Sequence, residues 1–309
     1  MHVGIVKDAV LPAQLYGGTE RVAYALGRAL SAMGHKVTFF CQAGSSAPFA
    51  DIVALDPQRP LAQQIPDGVD IMHFNDVVPE GFDARPYIVT INGNLQRRDE
   101  VPEMAVFVSR NHAERHGSTQ YVYNGLDWDD YPAPDFTQQR SGYHFLGKAA
   151  WSVKNVRGAI RIVRSIPGAR LHVLGGTRLN FKMGFRFTPS LRIRFHGMVD
   201  NAGKRDYICR SQGLVFPVLW DEPFGLCLTE SLYYGAPVFG TPRGSLPEIV
   251  TPEVGFLDID EQEIAAHMAE GHYYSPQRCH EYAADLFGAA PMARAYVALY
   301  EKALDGRRW

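Results

Sequence analysis

The sequence lacks a surplus of charge of either sign, and it lacks any long apolar run. Lysine and arginine total 31 against 33 aspartates and glutamates, so the formal net charge of -2 gives no overall field that would attract nucleic acid. No stretch reaches the roughly 20 apolar residues of a membrane span, and the amino terminus has no signal pattern. We therefore expect a cytoplasmic protein with no nucleic-acid partner.

Paired cysteines are also lacking. The four cysteines form no Cys-x-x-Cys pair and no recognised metal spacing with histidine, which indicates reduced and buried thiols. They are Cys41, Cys209, Cys227 and Cys279. With 309 residues, 46% of them hydrophobic and 21% charged, the chain is long enough for two domains with separate cores.

Apolar runs in the first half alternate between strand and helix patterns. "HVGIVKDAVL" predicts a buried strand, "GTERVAYALGRALSAMG" an amphipathic helix ended by Gly34, and "KVTFFCQAG" a second strand. The short apolar runs "VDIMHF", "PYIVTIN" and "MAVFVS" follow, and they are typical of a parallel sheet covered by helices on both faces.

A second α/β series follows a linker at residues 126–142, which has two prolines and no apolar periodicity. We predict an α/β protein with two Rossmann-like domains whose parallel sheets face a central cleft. Their ranges are 1–135 and 136–289, and the helix at about 290–309 packs back on the first domain. Ligands of open parallel sheets bind beyond the carboxyl ends of the strands.

A pair of glutamates flanks a Pro-Phe-Gly turn in "WDEPFGLCLTESLYYG". We predict a helix from about Phe224 to Tyr234, which leaves the N-H groups of its first turn without partners and able to attract phosphate. These groups belong to Gly225, Leu226 and Cys227.

Glu222 lies just before that helix, and Glu230 lies roughly 7 Å deeper along it at about 1.5 Å per residue. Carboxylates accept hydrogen bonds from vicinal hydroxyls, so the ligand that fits has a sugar on one side of a diphosphate and a ribose on the other. This predicts a nucleotide sugar. A capping Glu222 and a solvated Glu230 are the alternative.

Cations and further N-H donors are needed for the diphosphate, because negative charge develops on it when the sugar departs. Lys148 and Lys154 stand between a strand and a helix in the second half and are the candidates. Gly17 and Gly18 open the first helix, where missing side chains allow a close phosphate. A tight turn without a ligand is the alternative there.

Five ordered motifs resemble the glycosyl transferase group 1 family, retaining enzymes of GT-B fold. They are "YGGTERVAYALGRALSAMGHKVT", "YNGLDWDDY", "FLGKAAWSVKNVRGAI", the segment from "EPFGLCLTES" to "RGSLPEIV", and "FGAAPMARAYVALYEKAL". The resemblance implies a nucleoside diphosphate sugar as donor substrate, no other cofactor and no metal.

The resemblance also implies roles for individual residues. Glu230 would hold the ribose hydroxyls, Glu222 would face the donor sugar, and Met198 would touch the base through its backbone. Phe224 belongs to the same donor-binding segment. Lys154 matches the family lysine, whereas Lys148 stands where the family usually has arginine.

The chain departs from the family at the ends of two strands in the first half. His73 stands in "MHFND", but Asn75 and Asn92 occupy positions where histidine is expected. We assign all three to the donor sugar, with the amides positioning hydroxyls. A front-face retaining reaction needs no protein nucleophile, because the leaving phosphate takes the acceptor proton. For His73 the alternative is a buried histidine with satisfied hydrogen bonds.

Residues 177–195 carry five cations and no acid, and three phenylalanines stand between the cations. These residues are Arg178, Lys182, Arg186, Arg192, Arg194, Phe181, Phe185 and Phe187. We expect an electropositive lip that takes an anionic or lipid-linked hydroxyl acceptor, a donor phosphate or a membrane surface. A solvated strand face with a loop is the alternative.

The function predicted from the sequence is retaining transfer of a sugar from a nucleoside diphosphate sugar to a hydroxyl acceptor in polysaccharide or glycolipid synthesis. Three alternatives stay open: an epimerase of the same fold, an inert binder of sugar nucleotides, and a metal-dependent transferase. The last of these would use the aspartates of "DWDD", residues 127–130.

Overall fold

The computed structural model describes residues 1–13, 17–75, 77–97, 100–181 and 184–309. The strands are β1 (His2–Val6), β2 (Lys36–Cys41), β3 (Asp51–Ala54), β4 (Ile71–Asn75), β5 (Tyr87–Ile91), β6 (Ala105–Phe107), β7 (Tyr143–Leu146), β8 (Leu171–Leu174), β9 (Leu179–Asn180), β10 (Arg186–Phe187), β11 (Ile193–Phe195), β12 (Leu214–Phe216), β13 (Val238–Gly240) and β14 (Gly255–Leu257). The helices are α1 (Gly18–Ala32), α2 (Arg110–Arg115), α3 (Val156–Ser165), α4 (Asn201–Ile208), α5 (Leu226–Tyr233), α6 (Leu246–Ile249), α7 (Glu261–Ala269), α8 (Pro276–Leu286) and α9 (Ala289–Leu304).

The chain divides into two compact units. The first unit contains residues 1–128 and 287–309, and the second contains residues 129–286. The division therefore lies earlier than residue 135. Two hydrogen bonds explain this position, because Tyr131 Oη donates to Glu230 Oε1 at 2.8 Å and Arg205 Nε donates to Ala133 O at 2.7 Å. Both bonds tie the segment after residue 128 to the second unit.

Each unit is built on a parallel six-stranded sheet. The strand order is β3-β2-β1-β4-β5-β6 in the first unit and β11-β8-β7-β12-β13-β14 in the second. The central strands are nearly all buried, since helices cover both faces of such sheets. The predicted α/β fold with two Rossmann-like domains is confirmed.

A small antiparallel hairpin is inserted between β8 and β11. It consists of β9 and β10, with Arg186 opposite Asn180 and Phe187 opposite Leu179. Two residues of its turn, Lys182 and Met183, lie outside the described residues. The hairpin occupies the basic segment that was predicted as an electropositive lip.

Helix α9 is fastened to the sheet of the first unit by a buried polar chain. His73 on β4 shares hydrogen bonds with Tyr300 Oη and Thr90 Oγ1, each at 2.7 Å, and Thr90 Oγ1 also contacts Tyr296 Oη at 2.7 Å. Tyr296 and Tyr300 come from α9. Buried polar atoms need such partners, and here the two neighbouring strands and the helix supply them to each other.

The burial of His73 makes stability depend on pH. Burial lowers the pKa of His73 from its ordinary 6.5 to about 3. Between these values the unfolded chain binds a proton that the folded chain excludes. The contribution of a neutral His73 is therefore fully present above about pH 6.5 and is lost as the pH falls towards 3.

We expect His73→Gln, which cannot titrate, to reduce the loss of unfolding free energy between pH 6.5 and pH 5 by up to about 1.4 kcal/mol per pH unit. Urea unfolding of both proteins at several pH values measures this slope. The matched control is His272→Gln, because the side chain of His272 is 50% exposed. A slope that His73→Gln leaves unchanged would contradict a neutral, buried His73.

Candidate functional site

Helix α5 begins at a glycine turn, where the sequence predicted a phosphate-binding helix start. Gly225 has φ 87°, a left-handed conformation that favours glycine, and a β-carbon there would lie 3.3 Å from Glu222 Cγ. The first turn contains Leu226 and Cys227, whose N-H groups have no intrahelical acceptor. The helix start therefore offers donors and a partial positive charge beside Glu222.

Glu222 is a buried, ion-paired carboxylate. The residue is 5% exposed, and its Oε2 accepts hydrogen bonds from Lys154 Nζ at 2.5 Å and from Trp220 Nε1 at 2.8 Å. Its Oε1 accepts no hydrogen bond from the described residues. A lysine from the turn before α3 thus neutralises this glutamate, and one carboxylate oxygen keeps its acceptor capacity.

The loop before α6 holds the backbone of Glu222 in place. Gly244 has φ 62°, and a β-carbon on it would lie 2.3 Å from Glu222 N and 2.4 Å from Glu222 O. Ser245 N donates to Glu222 O at 2.9 Å, and Ser245 Oγ donates to Phe224 O at 2.7 Å. The Arg-Gly-Ser-Leu motif therefore supports the turn on which Glu222 lies.

Glu230 is also buried and also paired with a lysine. The residue is 3% exposed, and its Oε1 accepts hydrogen bonds from Lys204 Nζ at 2.6 Å and Tyr131 Oη at 2.8 Å. A solvated helix glutamate does not describe this position. Lys204 and Tyr131 are not predicted from the sequence, because no local motif marks either residue as a partner of a distant glutamate.

The two predicted lysines have different surroundings. Lys154 lies in a helical turn, and its ammonium stands over the rings of Trp220 at 4.9 Å and Phe216 at 5.5 Å. Lys148 is exposed, and its ammonium stands 5.0 Å from the ring centre of Trp151. The structure thus brings Lys154 together with Glu222, while Lys148 extends along the surface of its loop.

Of the remaining predicted donor contacts in the second unit, Met198 is 63% exposed after the turn at Gly197. Phe224 is buried, so its backbone is the part that supports the turn. The Cys227 thiol is half-buried, and burial raises its pKa well above the usual range. This thiol therefore stays protonated at neutral pH.

In the first unit, the turn at Gly17 and Gly18 has a structural explanation that involves no ligand. Gly17 has φ 152°, and a β-carbon on it would lie 2.6 Å from Glu20 Oε2. Thr19 Oγ1 donates to the same carboxylate at 3.2 Å. A tight turn closed by Glu20 therefore accounts for Gly17, and phosphate binding by Gly17 and Gly18 stays a prediction.

The three residues assigned to the donor sugar do not have equal access. His73 is 1% exposed with both ring nitrogens hydrogen-bonded, so its described contacts are those of a core histidine. Asn75, at the carboxyl end of β4, is half-buried, and its Nδ2 donates to Val6 O at 3.3 Å. Asn92 follows β5 directly and is also half-buried. The two amides therefore reach the strand ends, whereas the imidazole does not.

Several arginines of the basic segment 177–195 stabilise the backbone. Arg178 donates to Thr188 O at 2.6 Å, and Arg192 donates to Arg164 O at 2.8 Å. Arg194 is exposed, as are the rings of Phe181, Phe185 and Phe187. Backbone carbonyls thus accept hydrogen bonds from part of the segment's cations, and the electropositive lip stays a prediction. Lys182 lies outside the described residues.

The aspartates of "DWDD" do not form a common site with other metal ligands in the described ranges. Asp127 Oδ2 accepts a hydrogen bond from Arg28 Nη1 at 2.7 Å. The described residues contain one group of three side chains that could bind a metal ion. It lies on the surface of the second unit, and its ligand atoms are within 4.8 Å of one another. Its members are His267, Glu270 and His272.

No helix in the described part of the chain combines the length and the apolar character needed to cross a bilayer.

Comparisons with known proteins find a similar family and similar folds. Residues 141–271 match the family model of glycosyl transferases group 1. An uncharacterised 41.2 kDa protein in the cps region of Klebsiella pneumoniae is 30% identical over 114 residues, which is 35% of this chain and 32% of that protein. The match thus spans about a third of the length of this relative.

Solved structures share the fold over the whole chain. AviGT4, a glycosyltransferase involved in avilamycin A biosynthesis, is similar with a TM-score of 0.81 and 22% identity, covering 100% of this chain and 99% of that one. Anabaena Alr3699/HepE, in complex with UDP and glucose, has a TM-score of 0.67 and 12% identity, covering 98% and 100%. The catalytic domain of starch synthase IV from Arabidopsis thaliana, bound to ADP and acarbose, has a TM-score of 0.68 and 14% identity, covering 98% and 99%.

The motifs in the sequence, the family match and these folds agree, and they confirm the resemblance. Residues 141–271 are thus similar to the glycosyl transferases group 1, and the two units have the GT-B fold of glycosyltransferases.

Proposed function

We propose that this protein transfers a sugar from a nucleoside diphosphate sugar to a hydroxyl acceptor, with retention and without a metal. The observation that carries the proposal is the Glu222–Lys154 pair at the start of α5. It places an ammonium, a carboxylate oxygen and helix N-H donors within one small region of the second unit. These are the groups that a diphosphate joined to a sugar requires.

On the phosphate side, Lys154 keeps donor capacity. An ammonium has three N-H donors, and its hydrogen bond to Glu222 takes one of them. The aromatic rings of Phe216 and Trp220 exclude water from around it. The charge that develops on the departing phosphate would therefore meet a cation already held in place, which is the condition for strong electrostatic stabilisation.

On the sugar side, Glu222 would act as an acceptor that orients hydroxyls. Its Oε2 is hydrogen-bonded to Lys154 and Trp220, which leaves Oε1 for a sugar hydroxyl. A carboxylate stabilised by an ammonium and an indole N-H is a weak nucleophile. This favours a reaction in which the leaving phosphate accepts the proton from the acceptor and no covalent intermediate forms on the protein.

The comparisons support the choice of donor and the setting. The solved structures with UDP and glucose or with ADP and acarbose belong to other proteins of the same fold, and they support a nucleoside diphosphate sugar here. The relative in a cps region supports a place in glycan biosynthesis. We propose a polysaccharide or a glycolipid as the acceptor class.

We expect one of UDP, GDP, ADP, CDP and dTDP to raise the thermal unfolding temperature, and the shift to persist in a chelator. At 100 times its dissociation constant a ligand stabilises the native state by about 2.7 kcal/mol. Differential scanning fluorimetry with and without EDTA measures both effects. No shift with any of the nucleotides would contradict a nucleotide site, and a shift abolished by EDTA would contradict metal independence.

The two glutamates should fail in different ways when they become amides. We expect Glu222→Gln to lower kcat about 100-fold while donor affinity changes little, because the group acts mainly on the reacting sugar. Glu230→Gln should weaken nucleotide binding about 10-fold, as expected for the loss of a charged hydrogen bond. Steady-state kinetics with the donor found above, and calorimetry with its nucleotide, separate the two effects. Equal effects on kcat and affinity in both variants would contradict this division.

The burial of Glu230 gives a test that does not depend on activity. Lys204→Met leaves the Glu230 carboxylate buried without its cation and should lower the unfolding free energy by about 3–5 kcal/mol. The double variant Lys204→Met, Glu230→Leu removes both charges and should recover most of this loss. Chemical denaturation of the three proteins measures it. If Lys204→Met were as stable as the wild type, solvation by water, and not the charge of Lys204, would stabilise the Glu230 carboxylate.

A further inference from the structure

A basic cavity lies in the second unit, beside the hairpin β9–β10. It has a volume of about 350 Å³ and is enclosed by the loop after β7, the start of α3 and the hairpin β9–β10. Three arginines line it, namely Arg157, Arg161 and Arg186. None of the described residues that line the cavity is acidic. Lys148, Lys154 and Glu222 do not belong to its lining.

Arg186 is a buried cation without a counter-charge. It is 7% exposed, and its guanidinium donates to Thr177 O at 2.9 Å and to Thr188 Oγ1 at 3.3 Å. The guanidinium also stands 4.6 Å from the ring centre of Phe195. No carboxylate of the described residues forms an ion pair with it. Burying a cation without a counter-charge costs free energy, and an anionic ligand would recover part of this cost.

The neighbouring arginines add to this charge. Arg157 is exposed and donates to the carbonyl of Phe185, which places its guanidinium beside β10. Burial is the main cause that lowers the pKa of Arg186 below its ordinary value, and the nearby charge of Arg157 lowers it further. Arg161 is neutralised by Glu261 through two hydrogen bonds, at 2.8 and 2.6 Å. The cavity therefore carries two positive charges that no acidic side chain in the described part of the chain balances.

The cavity also lies at the sheet edge where parallel α/β proteins bind their ligands. A β-carbon on Gly176, just after β8, would lie 2.5 Å from Ala149 Cβ and 3.9 Å from Arg186 Nη2. Ala149 follows β7 and lines the cavity. Arg186 thus stands beside the carboxyl ends of β7 and β8, the edge expected to hold ligands.

We propose that this cavity is a second anion site, which binds a phosphate group through Arg157 and Arg186. Two guanidiniums can each donate paired N-H groups to phosphate oxygens, which a single lysine cannot do. The volume admits a phosphomonoester of a small sugar or free phosphate. The site uses none of the residues assigned to the diphosphate of the donor, so the inference does not depend on the proposed transfer reaction.

The alternative is that Arg186 only fastens the hairpin to the sheet through its hydrogen bonds. The two roles predict different effects of added phosphate on stability. If Arg186 only holds the hairpin in place, phosphate does not stabilise the protein through it. The two roles differ also at Arg157, whose exposed side chain is not needed to fill the core. Arg157→Gln is therefore a variant that folds whichever role Arg186 has.

The experiment is a titration of the wild type, Arg157→Gln, Arg186→Gln and Arg194→Gln with inorganic phosphate at constant ionic strength, followed by thermal unfolding. Arg194 is the matched control, an exposed arginine on β11 that does not line the cavity. We expect phosphate to stabilise the wild type and Arg194→Gln equally, and its apparent affinity to fall at least 10-fold in Arg157→Gln and Arg186→Gln. Equal responses of all four proteins, or no response of the wild type, would overturn the proposal.

Two further arms identify the source of the phosphate and separate the two sites. Glucose 1-phosphate that stabilises the wild type at lower concentration than free phosphate would support a sugar phosphate as the ligand. The nucleoside diphosphate that stabilises the wild type should stabilise Arg157→Gln equally, since Arg157 is not among the residues assigned to the diphosphate. If Arg157→Gln loses its response to this nucleotide together with that to phosphate, the cavity belongs to the donor site and the proposal of a second site is wrong.

Discussion

Two buried glutamates, each neutralised by a lysine, are the constraint on which the second unit depends. A carboxylate transferred from water to the interior loses several kcal/mol of solvation, which only a close cation and further hydrogen bonds recover. Lys154 and a tryptophan N-H supply these to Glu222, and Lys204 and a tyrosine hydroxyl supply them to Glu230. Neither glutamate could occupy its place without its partner.

These pairs also determine which elements must be neighbours. Lys154 comes from the turn before α3 and Glu222 from the loop after β12, so their contact joins the carboxyl ends of two strands that are adjacent in the sheet. Lys204 comes from α4 and Glu230 from α5, so the second pair joins two helices. The side chains to which we assign donor binding therefore also fix the geometry around the start of α5. A substitution that breaks either pair is expected to lower the stability of the second unit.

Features that depend on neighbouring residues in the sequence are predicted well, whereas features that depend on contacts between distant residues are not. The central strands are continuous apolar runs and α5 is bounded by two glycines, so both were predicted from local patterns. Strand β3 is half-exposed, and α4 has charged residues on several sides, so neither gives a clear periodic signal. The lysine on α4 that pairs with Glu230 was missed for that reason.

Two other residues show the same limit. The position of His73 depends on tyrosines more than 200 residues away, which no local motif reveals. Arginines that donate to backbone carbonyls, such as Arg178 and Arg192, have the same sequence signature as exposed cations. Only the surroundings in the fold distinguish an arginine that binds backbone carbonyls from one that is able to bind a ligand.

The buried chain from His73 through Thr90 to Tyr296 and Tyr300 affects the order in which the polypeptide assembles during synthesis. The first unit is discontinuous, because α9 follows all of the second unit along the chain. When β4 and β5 leave the ribosome, the hydroxyls that satisfy their buried polar side chains have not yet been translated. The second unit, whose residues are contiguous, can therefore complete its core first. The sheet of the first unit is completed only when α9 has been synthesised and its tyrosines can bind His73 and Thr90.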